Sequence, residues 1–213
     1  MQQSSQSLSR AWKRLPCAPP CAVYGYLQRI ADLLAGVVGC LLLLLVAPLV
    51  WLANACFAPG PLFYWQQRVG LHGRRFTIVK FRSMIVGAER NGVVWTAQND
   101  PRITPVGYLL RKSHLDELPQ CWNLLKGDMS LIGPRPERPE FVEILAPQLE
   151  GYHLRHRVKP GLTGWAQVNY GYGDSVADAG IKLTYDLDYI AQQSWRLDLL
   201  ILLRTFSVLW QGR

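Results

Sequence analysis

Charge is scarce in this sequence, and what there is leans one way. Only 18% of the residues are Asp, Glu, Lys or Arg, and 23 basic residues stand against 15 acidic ones, a net charge of +8. Soluble domains carry about a quarter charged residues, so a wholly soluble domain is a poor description of the chain. Cysteine is also sparse: Cys17, Cys21, Cys40, Cys56 and Cys121 are odd in number, and only the first two lie close together. With no second pair and no histidine cluster to complete a site, this pattern argues against structural zinc or a disulfide framework and predicts reduced, unliganded thiols. No internal repeat is present. The apolar stretch does not read as a cleavable signal sequence, because it is too long and contains Pro48 instead of ending at a small-residue cleavage site. The excess cations lack a reading helix or an aromatic platform, so nucleic acid is set aside as a partner; phosphorylated substrates and acidic membrane lipids remain. At 213 residues there is room for one packed domain and a membrane element.

What the chain does have is one apolar block. From Ile30 to Phe57 the only charge is Asp32, and none follows until Arg68. Pro48 lies well inside this run and cannot donate to the preceding turn, which predicts a bend at Ala47-Pro48. The arm before it would reach about 27 Å and the arm after it about 15 Å, against a hydrocarbon core of about 30 Å. Basic residues flank both ends: Arg10, Lys13, Arg14 and Arg29 before, Arg68, Arg74, Arg75, Lys80 and Arg82 after. Neither flank favours export, which points to a helix that enters and returns on one side, with a single tilted span as the alternative. The expected organisation is a disordered Ser-, Gln- and Pro-rich tail over 1–22, a re-entrant membrane helix over 23–59 and a cytoplasmic catalytic domain over 60–213. Within that domain the pattern predicts strands at Leu62–Val69 and Arg74–Arg82 joined as a hairpin, and helices at Val106–Arg111, Leu118–Leu125 and about Asp174–Gln192. A last apolar helix, Leu197–Trp210, is too short to span and would either lie in the membrane interface or close the core.

Between Gly60 and Lys112 nine Lys or Arg residues accompany only two acids, Glu89 and Asp100. Alone, this describes a lipid-headgroup patch. The next segment, Arg111-Lys112-Ser113-His114-Leu115-Asp116-Glu117-Leu118-Pro119-Gln120, places adjacent carboxylates after two cations and at a helix start. Asp116 could be an ordinary N-cap with Glu117 in the first turn. The chemical alternative is that the helix start and Arg111 keep Asp116 ionised as a nucleophile. A carboxylate attacking a diphosphate must overcome anion repulsion, so cations and a divalent metal would have to neutralise the phosphate. His114, His153 and His156 lack ligand spacing and read as surface or hydrogen-bonding residues. Trp165 reads as a packing anchor, whereas Arg135 sits between two prolines, on a backbone stiff enough to pre-position a guanidinium.

Asp100-Pro101-Arg102-Ile103-Thr104, the segment Arg111 to Gln120, Gly133-Pro134-Arg135-Pro136-Glu137, and Lys159-Pro160-Gly161-Leu162-Thr163-Gly164-Trp165-Ala166-Gln167-Val168-Asn169 follow one another behind a proline-containing apolar helix. In that order they resemble the bacterial sugar transferases, or monotopic phosphoglycosyl transferases, over about Tyr24 to the C-terminus. The resemblance implies an α/β (α+β) monotopic membrane protein on the cytoplasmic face of a bacterial inner membrane. Such an enzyme moves a sugar phosphate from a UDP-sugar to undecaprenyl phosphate with release of UMP. It further implies Asp116 as nucleophile, Glu117 as its dyad partner, and a Mg²⁺ cofactor on both carboxylates. Arg111, Lys80, Arg82 and Arg135 would bind substrate phosphate. Self-association stays open, and the rival reading is a catalytically silent basic membrane adaptor of a polysaccharide assembly complex. Two departures stand out. The helix break is Ala47-Pro48 where many members have Ser-Pro, and Tyr170-Gly171-Tyr172-Gly173-Asp174 replaces their Gly-Arg-Asn. The second variant is closer to transferases of exopolysaccharide clusters.

Overall fold

The computed structural model describes residues 22–211 apart from 91, 93, 98, 99, 172 and 174. The expected tail falls outside these residues except for Ala22, which opens α1 instead, and Asp174 also lies outside them. Helix α1, Ala22–Phe57, contains Pro48 and is long and apolar enough to cross a membrane. The expected break at Ala47-Pro48 does not interrupt it. A proline removes one ladder hydrogen bond and crowds the preceding turn, and packing on one side can hold such a helix together. Leu43, Val46, Ala47 and Val50 do pack with Phe81 and Leu110 beneath.

α1 is fastened to the rest of the molecule along its length. Near its start Tyr24 donates to Asp198 at 2.7 Å, and Arg29 donates to the carbonyls of Leu124 and Leu125, both at 2.7 Å. Asp32, the one charge in the run, is 2% exposed and accepts from the Ser130 hydroxyl and the Leu131 amide at 2.9 and 2.7 Å. A charge on an apolar helix needs partners of this kind. A turn later Gly36 and Gly39 bring the backbone so close to Leu125 and Cys121 that an added Cβ would lie 2.6 Å from each. The Cys40 and Cys121 thiols are 3.3 Å apart and free, in line with reduced thiols. Past the C-terminal end, buried Arg82 donates to the Ala58 and Pro61 carbonyls. The opposite face of α1, including Leu34, Leu41, Leu44, Leu45, Leu49 and Phe57, is exposed. Gly39→Leu is therefore expected to lower stability by about 1–3 kcal/mol through overpacking, measurable as a fall in thermal midpoint in detergent; an unchanged midpoint would contradict the docked helix.

The body begins with the expected hairpin. β1, Phe63–Val69, pairs antiparallel with β2, Arg75–Phe81, in the register Phe63 to Phe81 through Val69 to Arg75. Its loop uses left-handed backbone at His72 and Gly73. Helix α2, Pro105–Lys112, starts at Thr104, whose hydroxyl accepts from the Gly107 amide, with proline at the first position. A 3₁₀ segment, Leu115–Gln120, runs into α3, Cys121–Lys126, which stops at Gly127 in a left-handed conformation. A short parallel pair, β3 (Ser130–Ile132) with β4 (Gly161–Thr163), appears where the sequence reads only as loop. Gly133, Gly161 and Gly164 make it: an added Cβ on each would lie within 2.4 Å of backbone atoms, so two main chains touch there.

Helix α4, Pro139–Leu145, a 3₁₀ segment at Tyr152–Arg157 and helix α5, Trp165–Asn169, were not expected from the sequence. Helix α6, Val176–Gln192, starts with a reciprocal cap between Ser175 and Asp178. Helix α7 is Trp195–Gln211. The main core gathers Phe141, Val142, Leu145, Tyr152, Leu183, Leu187, Ile190 and Ile201. α7 closes the core, one of the two expectations for the last helix, with Leu197 and Ile201 entering it, while Trp195, Leu199, Leu203 and Phe206 stay exposed.

Candidate active site

The two adjacent carboxylates come from the 3₁₀ segment between α2 and α3, not from an α-helix start. His114 precedes it with φ 56°, a left-handed turn that reverses the chain after α2. Asp116 and Glu117 then meet β2 and the Pro134-Arg135-Pro136 loop in opposite ways. Glu117 is engaged by two cations: Lys80 Nζ donates to Oε1 at 2.7 Å, while Arg135 donates to Oε1 and, at 3.3 Å, to Oε2. Burial alone would raise its pKa, but Arg135 and Lys80 outweigh it and hold the carboxyl well below the usual range. The same contact raises the Arg135 guanidinium.

Asp116 is 8% exposed, and burial pushes its carboxyl up; Glu117 adds to that, while Lys80, Arg111 and Arg135 oppose it. Arg111 thus acts in the expected sense, favouring the ionised form, but the net shift is upward. The 3₁₀ segment offers less dipole than a long helix, and desolvation dominates. Arg111 does lie on the Asp116 side, anchored by Nε to the Ser83 hydroxyl at 2.9 Å. Arg82 does not join the group. Its guanidinium donates to the main-chain carbonyls of Ala58, Pro61 and Met84, so this buried side chain ties the end of α1 to the body. Lys80 and Arg82 would share a face only if the strand continued, and β2 ends at Phe81.

Lys80, Arg111 and Arg135 thus surround the dyad. Behind them Arg68, lowered to about 10 chiefly by burial, donates to the Pro136 carbonyl at 2.9 Å. Its supporting role was not legible in the sequence. Asp100-Pro101-Arg102 folds on itself, with Asp100 and Arg102 ion-paired at 2.6 Å and Arg102 also reaching the Ala88 carbonyl. Trp165 packs as expected, beneath Arg204 at 4.9 Å and against the core. His156 is buried, not on the surface, and burial lowers it to about 4.

The donor set suits a magnesium ion that the substrate helps to hold. Among the described residues no group of three or more His, Cys, Asp or Glu forms a metal cage. Magnesium commonly takes one or two carboxylates and completes its shell with substrate phosphate and water. Among the described residues no cation hydrogen-bonds to Asp116, whereas both Glu117 oxygens accept from cations, so Asp116 is the more available of the two. An ion that arrives with a diphosphate and takes Asp116 fits.

The surroundings of the dyad are greasy. Leu115 precedes Asp116, and Tyr108, Leu109 and Trp122 on the flanking helices are exposed, as is the outer face of α1. These features define a class: a membrane-associated protein with a carboxylate pair set in basic groups beside an apolar surface. A family model described as bacterial sugar transferase matches residues 23–212, and the chain belongs to that family. It is 43% identical over 197 residues to the UDP-N-acetylgalactosamine-undecaprenyl-phosphate N-acetylgalactosaminephosphotransferase of Aeromonas hydrophila, covering 91% of this chain and 46% of that one. It is 41% identical over 192 residues to the UDP-glucose:undecaprenyl-phosphate glucose-1-phosphate transferase of Escherichia coli K12, covering 88% and 41%. A Caulobacter vibrioides protein of the same name is 40% identical over 185 residues, covering 84% and 67%. The chain spans less than half the length of the first two.

Proposed function

We propose that this chain is a phosphoglycosyl transferase that moves a sugar 1-phosphate from a UDP-sugar to undecaprenyl phosphate and releases UMP, thereby initiating assembly of an exopolysaccharide or other glycoconjugate. The observation that carries the reading is the division of labour within the dyad: Glu117 holds two cations, and among the described residues no cation hydrogen-bonds to Asp116 beside it. In the first step an Asp116 carboxylate oxygen attacks the sugar-linked phosphorus. The bond from that phosphorus to the UMP oxygen breaks, and UMP leaves with the electron pair. In the second step a phosphate oxygen of undecaprenyl phosphate attacks the same phosphorus, the bond to Asp116 breaks, and the lipid carries the sugar as a diphosphate. Two steps suit one site that must receive a soluble nucleotide and a membrane-bound phosphate in turn.

Lys80, Arg111 and Arg135 orient and neutralise the phosphates, a contribution that fixed cations make efficiently in a water-poor site. Magnesium, when bound with the donor, would supply further charge neutralisation, with Asp116 the carboxylate free to meet it. The relatives' names support the substrates: they specify UDP-glucose or UDP-N-acetylgalactosamine and undecaprenyl phosphate.

The membrane reading is monotopic and cytoplasmic-facing. α1 is about 54 Å long at 1.5 Å per residue, more than a hydrocarbon core, yet it meets one body from Tyr24 to Val50, and Ala58 just past its end does so again. A straight crossing would leave one end across the bilayer from that body. Cysteines introduced at Ser7 and Glu89 are expected to react only from the cytoplasmic side; labelling of Ser7 alone from the periplasm contradicts this arrangement.

The functional test is UMP release from a UDP-sugar panel with undecaprenyl phosphate and Mg²⁺. Release with at least one sugar is expected; silence with all of them would favour the adaptor. The pH profile is a second check. Asp116 must be ionised to attack and its pKa is raised, so the rate should climb with pH through a limb that lies above the ordinary aspartate value and fall as acid protonates it. A limb at or below the usual aspartate value would contradict the assignment.

A further inference from the structure

Residues 134–137 form neither helix nor strand, yet each of their four consecutive carbonyls is held by a different donor. The Pro134 carbonyl accepts from the Gly161 amide, that of Arg135 from Arg155 Nη2, that of Pro136 from Arg68 Nη1, and that of Glu137 from the Val69 amide, all at 2.9 Å. Buried backbone acceptors need partners, and β-strand edges supply two of these. The other two are arginine side chains. Arg68 belongs to the neighbouring hairpin, but Arg155 arrives from a 3₁₀ segment 20 residues further along the chain.

Arg155 is itself held on every side. Its side chain is 7% exposed, Nη1 donates to the Tyr152 hydroxyl at 2.9 Å, and Nη2 lies 2.7 Å from Asp186, which is 2% exposed on α6 among Leu183 and Leu187. Replacing a buried ion pair by apolar side chains is often neutral or stabilising, so core stability alone does not account for this one. What it supplies is direction: the α6 core fixes Asp186, Asp186 fixes Arg155, and Arg155 fixes the main chain of the residue whose side chain clasps Glu117.

We infer that Arg155, braced by Asp186 and Tyr152, is a positioning residue for phosphosugar transfer, acting at a distance by holding the Arg135 backbone so that its guanidinium stays beside the dyad. The inference rests on the function proposed above and adds to it residues that touch neither substrate nor reacting atoms. Its signature is dependence on Arg135. A residue that merely stabilises the fold would lower activity by the same factor whether or not Arg135 is present, whereas a positioning residue loses its effect once the group it positions is gone.

The test is a double-mutant cycle in the full chain. Arg155→Lys is expected to lower kcat/KM for UMP release about ten-fold in the otherwise native enzyme and less than two-fold in an Arg135→Ala background. An equal loss in both backgrounds, or no loss in the first, overturns the inference. If Arg155→Lys fails to fold, Tyr152→Phe removes one bond from Arg155 and keeps the packing; it should show the same pattern with a loss of about three-fold, and equal losses would again overturn it. The cycle is repeated with the dissociation constant of UDP, measured by calorimetry without acceptor. Arg155→Lys should weaken UDP binding only where Arg135 is present, and equal weakening or none contradicts the proposal. Because this arm needs no turnover, an enzyme that releases no UMP would count against the proposed function while the positioning role is still decided by binding.

Discussion

Asp116→Asn is expected to abolish UMP release and sugar-phosphate transfer, with a loss on the order of 10³-fold or more, while membrane insertion and thermal midpoint stay near the native values. An amide has nearly the shape of the carboxyl it replaces but lacks an oxygen nucleophilic enough to attack phosphorus. The burial of Asp116 makes the substitution mild for the fold, because burial already disfavours the charged form and a neutral amide escapes that penalty. Radiolabelled sugar phosphate supplied as the UDP-sugar measures the transfer. Turnover within ten-fold of native in a well-folded Asp116→Asn enzyme would remove Asp116 from the role of nucleophile.

Glu117→Gln should have the second largest effect, by a different route. Glu117 is the one carboxylate that both Lys80 and Arg135 contact, and its own charge is stabilised by them. A glutamine in its place leaves two cations close together with their shared counter-charge gone, so Lys80 and Arg135 should separate and no longer meet the donor diphosphate as a pair. We expect kcat/KM to fall about 10²-fold, the scale seen when one preorganised electrostatic group is lost, with much of it in KM for the UDP-sugar. Asp116→Asn, by contrast, should act on kcat. A Glu117→Gln enzyme with native KM and a reduced kcat would contradict the role of Glu117 in holding the two cations and show that it works on the reacting atoms themselves.

The parts of this site that could be read from the sequence are those whose chemistry is contiguous. Asp116-Glu117 after Arg111-Lys112, and Arg135 between two prolines, carry their residue types side by side, and the structure brings Asp116, Glu117, Lys80, Arg111 and Arg135 together. Arg82 shows the limit. Strand alternation puts it on the face of Lys80, but direction changes where β2 ends, and a sequence displays charge without displaying orientation.

The apolar helix was legible from Ile30 to Phe57, and its proline too, but not the fact that packing carries the helix through Pro48. Asp32 was visible as a lone charge; that its partners are Ser130 and Leu131 depends on a contact across 98 residues that no local pattern encodes. The β3–β4 pair was hidden for a related reason. Glycine and proline usually mark loops, and here Gly133, Gly161 and Gly164 instead let two backbones touch. Arg155 and Asp186 lie 31 positions apart and become a pair only once α6 has packed.

The most direct measurement of the central claim is mass spectrometry of enzyme mixed with a UDP-sugar substrate and quenched before acceptor is added. The account predicts a mass increase equal to one phosphosugar, with the peptide carrying Asp116 as its sole location and release of the label when undecaprenyl phosphate is supplied. An adduct on any other side chain, or transfer to the lipid in a single step with no adduct at all, would contradict it.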